Sequence, residues 1–247
     1  MMNSFKFESN IERHDLIDST NLRAIDVIKS EKDIDWVISK VQTHGKGRVN
    51  KTWSSPHGGL YVTRILKSDK INYSNLGQFS ILSSVAVAKS VESFLSDKKV
   101  SLKWPNDVFV DDKKVAGILI QSIIHKQRLF VIVGIGINVF KPYSANNEYS
   151  YIEDFNRGIQ LDLCFETLLK NLKEMINNWG YGVNFNEVKE FWLSRCNHIG
   201  KKIIVKTSNT SKEGLFESID DNGNLLLLID NKIELINTSN ILIEESI

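Results

Sequence analysis

Two lysines, an asparagine and an aspartate crowd one short stretch, Lys103-Trp104-Pro105-Asn106-Asp107 followed by Lys114 and Gly117. Val108 and Val110 alternate around Phe109, and Val115 to Leu119 form an apolar, β-branched run, so the stretch reads as two short strands. Asp111-Asp112-Lys113 supplies the turn between them. Pro105 has no backbone donor and pushes Trp104 toward extended geometry, which makes Trp104-Pro105-Asn106 a loop at a strand end. Gly117, inside the returning strand, marks either a bulge or the close approach of a ligand. Lys103 and Lys114 beside Asn106-Asp107 are the layout needed to hold phosphates and a metal.

A second cationic stretch precedes it, residues 42–53, QTHGKGRVNKTW. Gly45 and Gly47 let the backbone approach a ligand closely, and Lys46, Arg48 and Lys51 add positive charge. Composition alone favours a solvated basic loop over an anion cradle. Trp53 fits the solvated loop poorly, because a large aromatic at the end of a flexible segment needs a partner. Ser19-Thr20-Asn21 opens a helix with Leu22, Ile25 and Ile28 on one face, and its simplest use is capping. The Gly134-Ile135-Gly136-Ile137-Asn138 run resembles part of a dinucleotide fingerprint, but the third glycine is missing and no helix follows. Its simpler use is to bring backbone and Asn138 close to something.

These residues need elements to hold them. Residues 1–18 are polar with scattered apolar positions, and Trp36 to Val41 reads as a strand. Leu60 to Leu66 is another. Leu76 to Leu95 carries the widest apolar face at helical spacing, with Asn75 as its cap. Leu129 to Val133 is a buried strand, 141–160 a polar loop, and Leu163 to Trp179 and Val188 to Cys196 are packing helices. From Gly200 the pattern changes to short strands, with a strong turn at Asp220-Asp221-Asn222-Gly223-Asn224. That tail reads as a small β-barrel, closing its own edges. The division expected is 1–198 and 199–247.

Bulk properties narrow the field. The chain has 247 residues and net charge +1, so it offers no global basic field for nucleic acid. Cys164 and Cys196 lie far apart with no CxxC, which fits a reducing compartment and gives no zinc site. No apolar run is long enough to span a membrane, and the first residues lack an apolar signal core. The protein is expected in the cytoplasm.

Four blocks in this order resemble the biotin–protein ligases: STN at 19–21, QTHGKGRVNKTW-SSPHG at 42–58, KWPND with KKVAGIL across 103–119, and GIGINV at 134–139. The likeness covers about residues 14–247 and is to the monofunctional class, without the DNA-binding domain that repressor members carry. It implies an α/β fold, a mixed, largely antiparallel sheet with helices on one face, followed by a small SH3-like β-barrel. It implies that ATP and biotin are substrates, with Mg²⁺, and that the product is an amide on a biotin carboxyl carrier domain of a biotin-dependent carboxylase, formed through biotinyl-5′-adenylate. No nucleic acid or membrane partner is implied, and the family admits a homodimer.

The resemblance also distributes roles. Lys114, Arg48, Lys103 and Asp107 are the implied catalytic groups, with Asp107 also the implied metal ligand and a candidate to orient the acceptor amine. Ser19, Thr20, Asn21, Gln42, Gly45, Lys46, Gly117 and Lys114 are the implied biotin contacts. Arg48, Lys51, Trp53, Asn106, Lys114 and Asn138 are the implied ATP or adenylate contacts. Joining two anions needs fixed cations aimed at the phosphate oxygens, which these types supply. Trp53 can stack on adenine, and Asn138 can read its edge. The loop departs from the family's GRGRRGR: Lys46 loses the bidentate capacity of arginine, and Asn50 replaces a glycine while still tolerating left-handed geometry. A lipoate or octanoate ligase or transferase of the same fold is the alternative; its arginine-serine-glycine block is absent, while KWPND and GIGIN are present. A loop that folds over an adenylate to exclude water predicts slower proteolysis across residues 45–52 when biotin and ATP are both present. Cleavage at the same rate with and without them would contradict that closure.

Overall fold

Alternation along the strands sets the architecture, because each strand sends successive side chains to opposite faces of one sheet. The computed structural model describes residues 10–49, 51–143, 148–206, 210–237 and 242–245. The elements run β1 (Ile11–His14), α1 (Thr20–Lys29), β2 (Trp36–Ser39), β3 (Gly59–Lys67), α2 (Leu76–Glu92), β4 (Val100–Lys103), β5 (Asp107–Val110), β6 (Lys113–His125), β7 (Arg128–Asn138), α3 (Leu161–Trp179), α4 (Phe185–Arg195), β8 (Lys202–Lys206), β9 (Ser211–Ile219), β10 (Leu225–Ile229), β11 (Lys232–Ile236) and β12 (Leu242–Glu245). β1 to β7 form one sheet in the order β1-β2-β3-β7-β6-β5-β4. Its pairs are antiparallel apart from β1 with β2. This is the mixed, largely antiparallel sheet expected.

Each face of the sheet has its own core. Trp36, Val62, Val133 and Ile135 pack toward α2, α3 and α4, in a cluster that includes Phe79, Leu82, Val85 and Leu172. Val37, Ile65 and Ile132 face the other way and bury Ala24, Val27 and Ile28 of α1. Three helices therefore cover one face, as expected, while the short α1 covers only part of the other. The area beyond the N-terminus of α1 is left open for a site.

Local chemistry departs from the sequence reading in several places. The 3-10 turn Tyr73–Asn75 precedes α2, and Asn72 caps that turn. Asn75 gives α2 no side-chain cap bond; its Nδ2 donates to Gln78 Oε1. The Asp111-Asp112 turn forms as expected, with φ of +48° and +60°, the two-residue geometry that suits the twist of a hairpin. Of the two readings of Gly117, a bulge or a close approach, the bulge falls earlier and Gly117 itself is regularly paired. Val108 pairs with Ala116 and Phe109 with Lys114, so Val115 is the extra residue of a bulge. The bulge resets the alternation, so Lys114 and Gly117, three apart, share a face. The two glycines of GIGIN lie within β7, with Asn138 ending it. β1 was not legible, since only Ile11 in IERH is apolar and the strand lies at the sheet's edge. The segment expected as a polar loop contains a 3-10 turn at Ile152–Asp154 and buries Tyr151, Ile152 and Ile159.

The C-terminal strands form an antiparallel sheet in the order β11-β10-β9-β8-β12. Closing the expected barrel requires β11 to meet β12, and among the described residues no ladder joins them. Asn50, one of the expected departures of the basic loop, lies outside the described residues.

β1 is tied to α1 by charge. Arg23 donates twice to the Glu12 carboxylate, at 2.6 and 3.0 Å, and His14 adds a third contact at 2.6 Å. The Arg23 bonds, with the smaller help of His14, outweigh partial burial and hold the Glu12 carboxyl at about 2, below its usual 4.5. A depressed carboxylate contributes stability that is complete above the ordinary value and is lost as pH falls toward the folded one. Wild-type stability to urea should therefore fall between pH 4.5 and 2, and Glu12→Gln should flatten that fall. Parallel profiles for the two proteins would contradict the role given to this pair.

Candidate active site

Gly117 of β6 and Gly136 of β7 sit directly opposite each other in the ladder. The pair leaves a bare patch on the α1 face of the sheet, in the part that the short helix leaves open, and the Trp53 indole lies across it. A methyl group added at Gly136 would stand 2.4 Å from Trp53 Nε1, and one at Gly117 would stand 2.9 Å from Trp53 Cζ3. Only glycine admits the ring at either position. Gly134, two residues back on the same face, makes room for Asn21: an added methyl would meet Asn21 Oδ1 at 2.2 Å. The glycines of GIGIN thus clear the floor for two side chains, and they form no phosphate-binding turn.

Trp53 separates two cavities. The larger, about 360 Å³, is lined by Ser19, Thr20 and Asn21 at the start of α1, by Gln42, Lys46, Arg48 and Lys51, and by Lys103, Asn106, Asp107, Lys114 and Gly117. Five cationic side chains and one carboxylate line it, so the lining is strongly positive. The smaller, about 300 Å³, holds Asn138 with Tyr61, Phe140 and Tyr151. Thr52, Trp53 and Tyr149 border both. Of the residues expected in one site, the structure gathers all but two in the first cavity. Asn138 is across the indole in the second. Gly45 lies under the loop, where a methyl group would collide with Trp53 O at 2.4 Å and Ser55 Oγ at 2.5 Å, so its role there is packing.

The basic loop folds back as a tight hairpin. Lys46 bridges to Thr52, Gly47 N–H donates to Lys51 O at 2.7 Å, and Trp53 N–H donates to Gly45 O at 2.9 Å. This hairpin aims Arg48 across the cleft, where its guanidinium donates to Asn106 Oδ1 at 3.2 Å. Burial lowers the Arg48 pKa, and the charge of Asp107 opposes that shift. Lys114 Nζ sits 2.7 Å from Asp107 Oδ1 and 5.2 Å from the centre of the Trp53 ring. Lys103 is the cross-strand neighbour of Asp107, but the ion pair of Asp107 is with Lys114. The Lys114 carbonyl accepts from Ser150 N–H at 3.0 Å and from Asn138 Nδ2 at 3.4 Å.

The STN block does something other than capping. No Ser19 side-chain bond caps α1. Instead Gln42 Oε1 accepts from Thr20 N–H at 2.8 Å and from Thr20 Oγ1 at 3.0 Å, while Gln42 Nε2 donates to Ser55 Oγ at 2.8 Å. Thr63 Oγ1 lies 2.8 Å from Thr20 Oγ1 and 2.6 Å from Asn21 Oδ1, and Asn21 Nδ2 donates to Gln121 Oε1 at 2.8 Å. A connected polar network of this kind fixes the wall of a pocket. Thr63, Gln121, Ser55 and Tyr149 were missed in the sequence. Gln121 had a signal, as a lone amide in the apolar run Ile118 to Ile124, and Thr63 had a weaker one, sharing the period-two face of Tyr61. Tyr149 had none.

An α/β enzyme domain that brings anions together at one end of its sheet accounts for both the fold and the charge of this cleft. The chain belongs to the Biotin/lipoate A/B protein ligase family, which its residues 14–138 match, and residues 198–243 match the Biotin protein ligase C terminal domain. The chain is 29 % identical over 244 residues to the bifunctional ligase/repressor BirA of Bacillus subtilis, spanning 92 % of this chain and 72 % of that one. It is 27 % identical over 225 residues to the biotin–[acetyl-CoA-carboxylase] ligase of Paracoccus denitrificans, spanning 85 % of this chain and 90 % of that one. The biotin protein ligase from Aquifex aeolicus, solved in complex with biotin and ATP, superimposes with a TM-score of 0.80 at 25 % identity, covering 96 % of this chain and 99 % of that one.

The fit of Trp53 to the glycine pair has a measurable coupling. Gly136→Ala should cost about 1–3 kcal/mol in a urea titration, because it overpacks a filled site. In a Trp53→Ala background the same change should be close to neutral. Equal costs in both backgrounds would show that the indole does not occupy the patch.

Proposed function

We propose that the chain ligates biotin to a lysine of a biotin carboxyl carrier domain at the expense of ATP, through biotinyl-5′-adenylate. The observation that carries this reading is the pair of adjoining cavities, one lined by five cations and one holding an amide among aromatic rings, with a single indole between them. In the first step a carboxylate oxygen of biotin bonds to the α-phosphorus of ATP, and pyrophosphate leaves. In the second, the carrier amine bonds to the acyl carbon, AMP leaves and the amine loses a proton. Residues 1–198 are the proposed catalytic domain and 199–247 the C-terminal domain.

The proposed roles follow from charge and position. Lys114, Arg48, Lys46, Lys51 and Lys103 offset the meeting of two anions in the larger cavity. Ser19, Thr20 and Asn21 offer polar groups to the cyclic urea of biotin, and Gln42 positions Thr20. A wall built to hydrogen-bond that ring rejects acids lacking it, because its buried groups would go unpaired. The nucleotide base takes the smaller cavity, with the Trp53 face on one side and the Asn138 amide at its edge. Trp53 Nε1 is buried with no hydrogen-bond partner, which leaves the ring free of a polar tether. Arg48 on Asn106 closes the cleft over the acyl phosphate and excludes water. Asp107, held by Lys114, orients the acceptor amine.

Among the described residues no group of three or more His, Cys, Asp or Glu side chains is placed to hold a metal. Asp107 is the one carboxylate of the lining, a donor set that fits Mg²⁺ carried mainly by the nucleotide phosphates, with Asp107 as its protein ligand. Bound there, the ion would neutralise phosphate charge.

The carrier is proposed to approach along the free length of β6. β5 pairs with β6 only from Lys113 to Gly117, and at the sheet's end β4 is bridged to Cys196 at Leu102. Asn106 takes the N–H and the carbonyl of Ile118, so the outer edge of β6 from Leu119 onward is the longer strand edge open to a partner strand among the described residues. No described helix is long and apolar enough to cross a membrane. Two free cysteines fit the proposed cytoplasmic setting.

With a purified carrier domain, biotin transfer should require ATP, and Lys114→Ala should lower its rate about 100- to 1000-fold. Hydroxylamine should trap the activated acid before the carrier is added. Transfer of lipoate in preference to biotin would point to the sister activity, and no trapped product with either acid would refute the ligase reading.

A further inference from the structure

The turn Trp104-Pro105-Asn106 carries one side of the cleft, yet it is held from outside the catalytic sheet. Trp104 is 1 % exposed, and its Nε1–H donates 3.0 Å to the Gly223 carbonyl, in the β9–β10 turn of the C-terminal sheet. Pro105 O accepts from Ser80 Oγ of α2 at 2.8 Å. Asn106 then uses both ends of its amide: Nδ2 donates to Ile118 O at 2.6 Å, and Oδ1 receives Arg48. An unbroken path therefore runs from the C-terminal turn, through Trp104 and Asn106, to the arginine that crosses the cleft.

The C-terminal turn is itself seated firmly. Asp220 Oδ1 accepts from the N–H groups of Asn222 and Asn224, at 2.9 and 2.7 Å. Gln78 Nε2 donates to Asp221 O at 2.6 Å, and Lys189 pairs with the Asp221 carboxylate at 2.8 Å. The turn lies directly on α2 at Gly77, where a methyl group would stand 2.2 Å from Asn222 O. Gly223 has φ +80°, and its own missing Cβ would meet Gly77 at 2.8 Å. Such contact leaves the turn one place to sit, with the Gly223 carbonyl under Trp104.

We propose that this turn is a positioning element for the nucleotide half-reaction, with Trp104 as the positioning residue that transmits it to Asn106 and Arg48. The inference rests on the ligase reading and deepens it. Neither Trp104 nor Gly223 needs to touch a ligand. Losing the indole bond lets the β4–β5 turn drift and loosens the Arg48 contact over the phosphates. The urea-binding wall built from α1 and Gln42 lies on other elements and keeps its geometry.

The test is pyrophosphate release at saturating biotin with ATP varied, together with calorimetric binding of biotin and of ATP, on the full chain. Trp104→Phe keeps an aromatic ring and removes the donor. Gly77→Ala pushes the turn from the other side while adding a residue that favours helix, so a weakened helix cannot explain a loss. Both variants should raise KM for ATP about five- to tenfold, the scale of one buried hydrogen bond, and leave the Kd for biotin within about twofold. An unchanged KM for ATP in either folded variant overturns the inference, as does a parallel loss of biotin affinity, which would mark general loosening. A wild type that releases no pyrophosphate would count against the ligase reading instead; the turn's role would still be read from ATP binding, where Trp104→Phe must weaken affinity.

Discussion

The site depends on a contact between an indole and two glycines. Trp53 can lie flat on the sheet only because Gly117 and Gly136 face each other across β6 and β7 with nothing between them. Its position divides the cleft into a cationic part and an aromatic part. It also receives Lys114, whose ammonium lies over the ring face while its charge meets Asp107. A cation held by both a carboxylate and an aromatic face is placed without a rigid side chain of its own. The bulge at Val115 completes the arrangement, because without the extra residue Lys114 and Gly117 would lie on opposite faces.

Gathering five positive groups around one carboxylate costs free energy in the absence of a ligand, and the fold offsets it locally. Lys114 has Asp107, and Arg48 is drawn to the Asn106 carbonyl oxygen. The remaining lysines of the lining keep their charge near solvent, where repulsion is screened. The polar wall opposite is neutral: hydroxyls and amides of Thr20, Asn21, Gln42, Thr63 and Gln121 satisfy one another. Charge on one side and neutral, preorganised hydrogen-bonding groups on the other suit a ligand that carries an anionic end and an uncharged polar ring.

Much of this was legible in the sequence because each block carries its own local physics. Asp111-Asp112 demanded a turn, the helical spacing from Leu76 announced the core helix, and the change at Gly200 announced a second sheet. Lys114, Arg48 and Trp53 stood out as charge or aromatic surface in unusual places. What stayed hidden depends on register. The opposition of Gly117 to Gly136 requires knowing which strands pair and where, and neither GIGIN nor KKVAGIL contains that alone. Gly117 read as a bulge or as a place of close approach; the bulge is at Val115, and Gly117 lies under Trp53 in the lining of the larger cavity. The polar network around Thr20 and Asn21 stayed hidden behind a capping rule that fits their residue types, whereas Gln42, twenty-two residues beyond Thr20, accepts the helix amide. Long-range partners such as Gly223 for Trp104 leave no trace in either segment.

The most direct measurement is a crystal structure of the chain with biotin and a non-hydrolysable ATP analogue. The account predicts the bicyclic ring against Ser19 to Asn21, the base beside Asn138, the Trp53 indole between the two ligands' seats, and Lys114 and Arg48 on the α-phosphate and carboxylate. Ligands bound elsewhere, or Lys114 and Arg48 turned away from both anions, would contradict it.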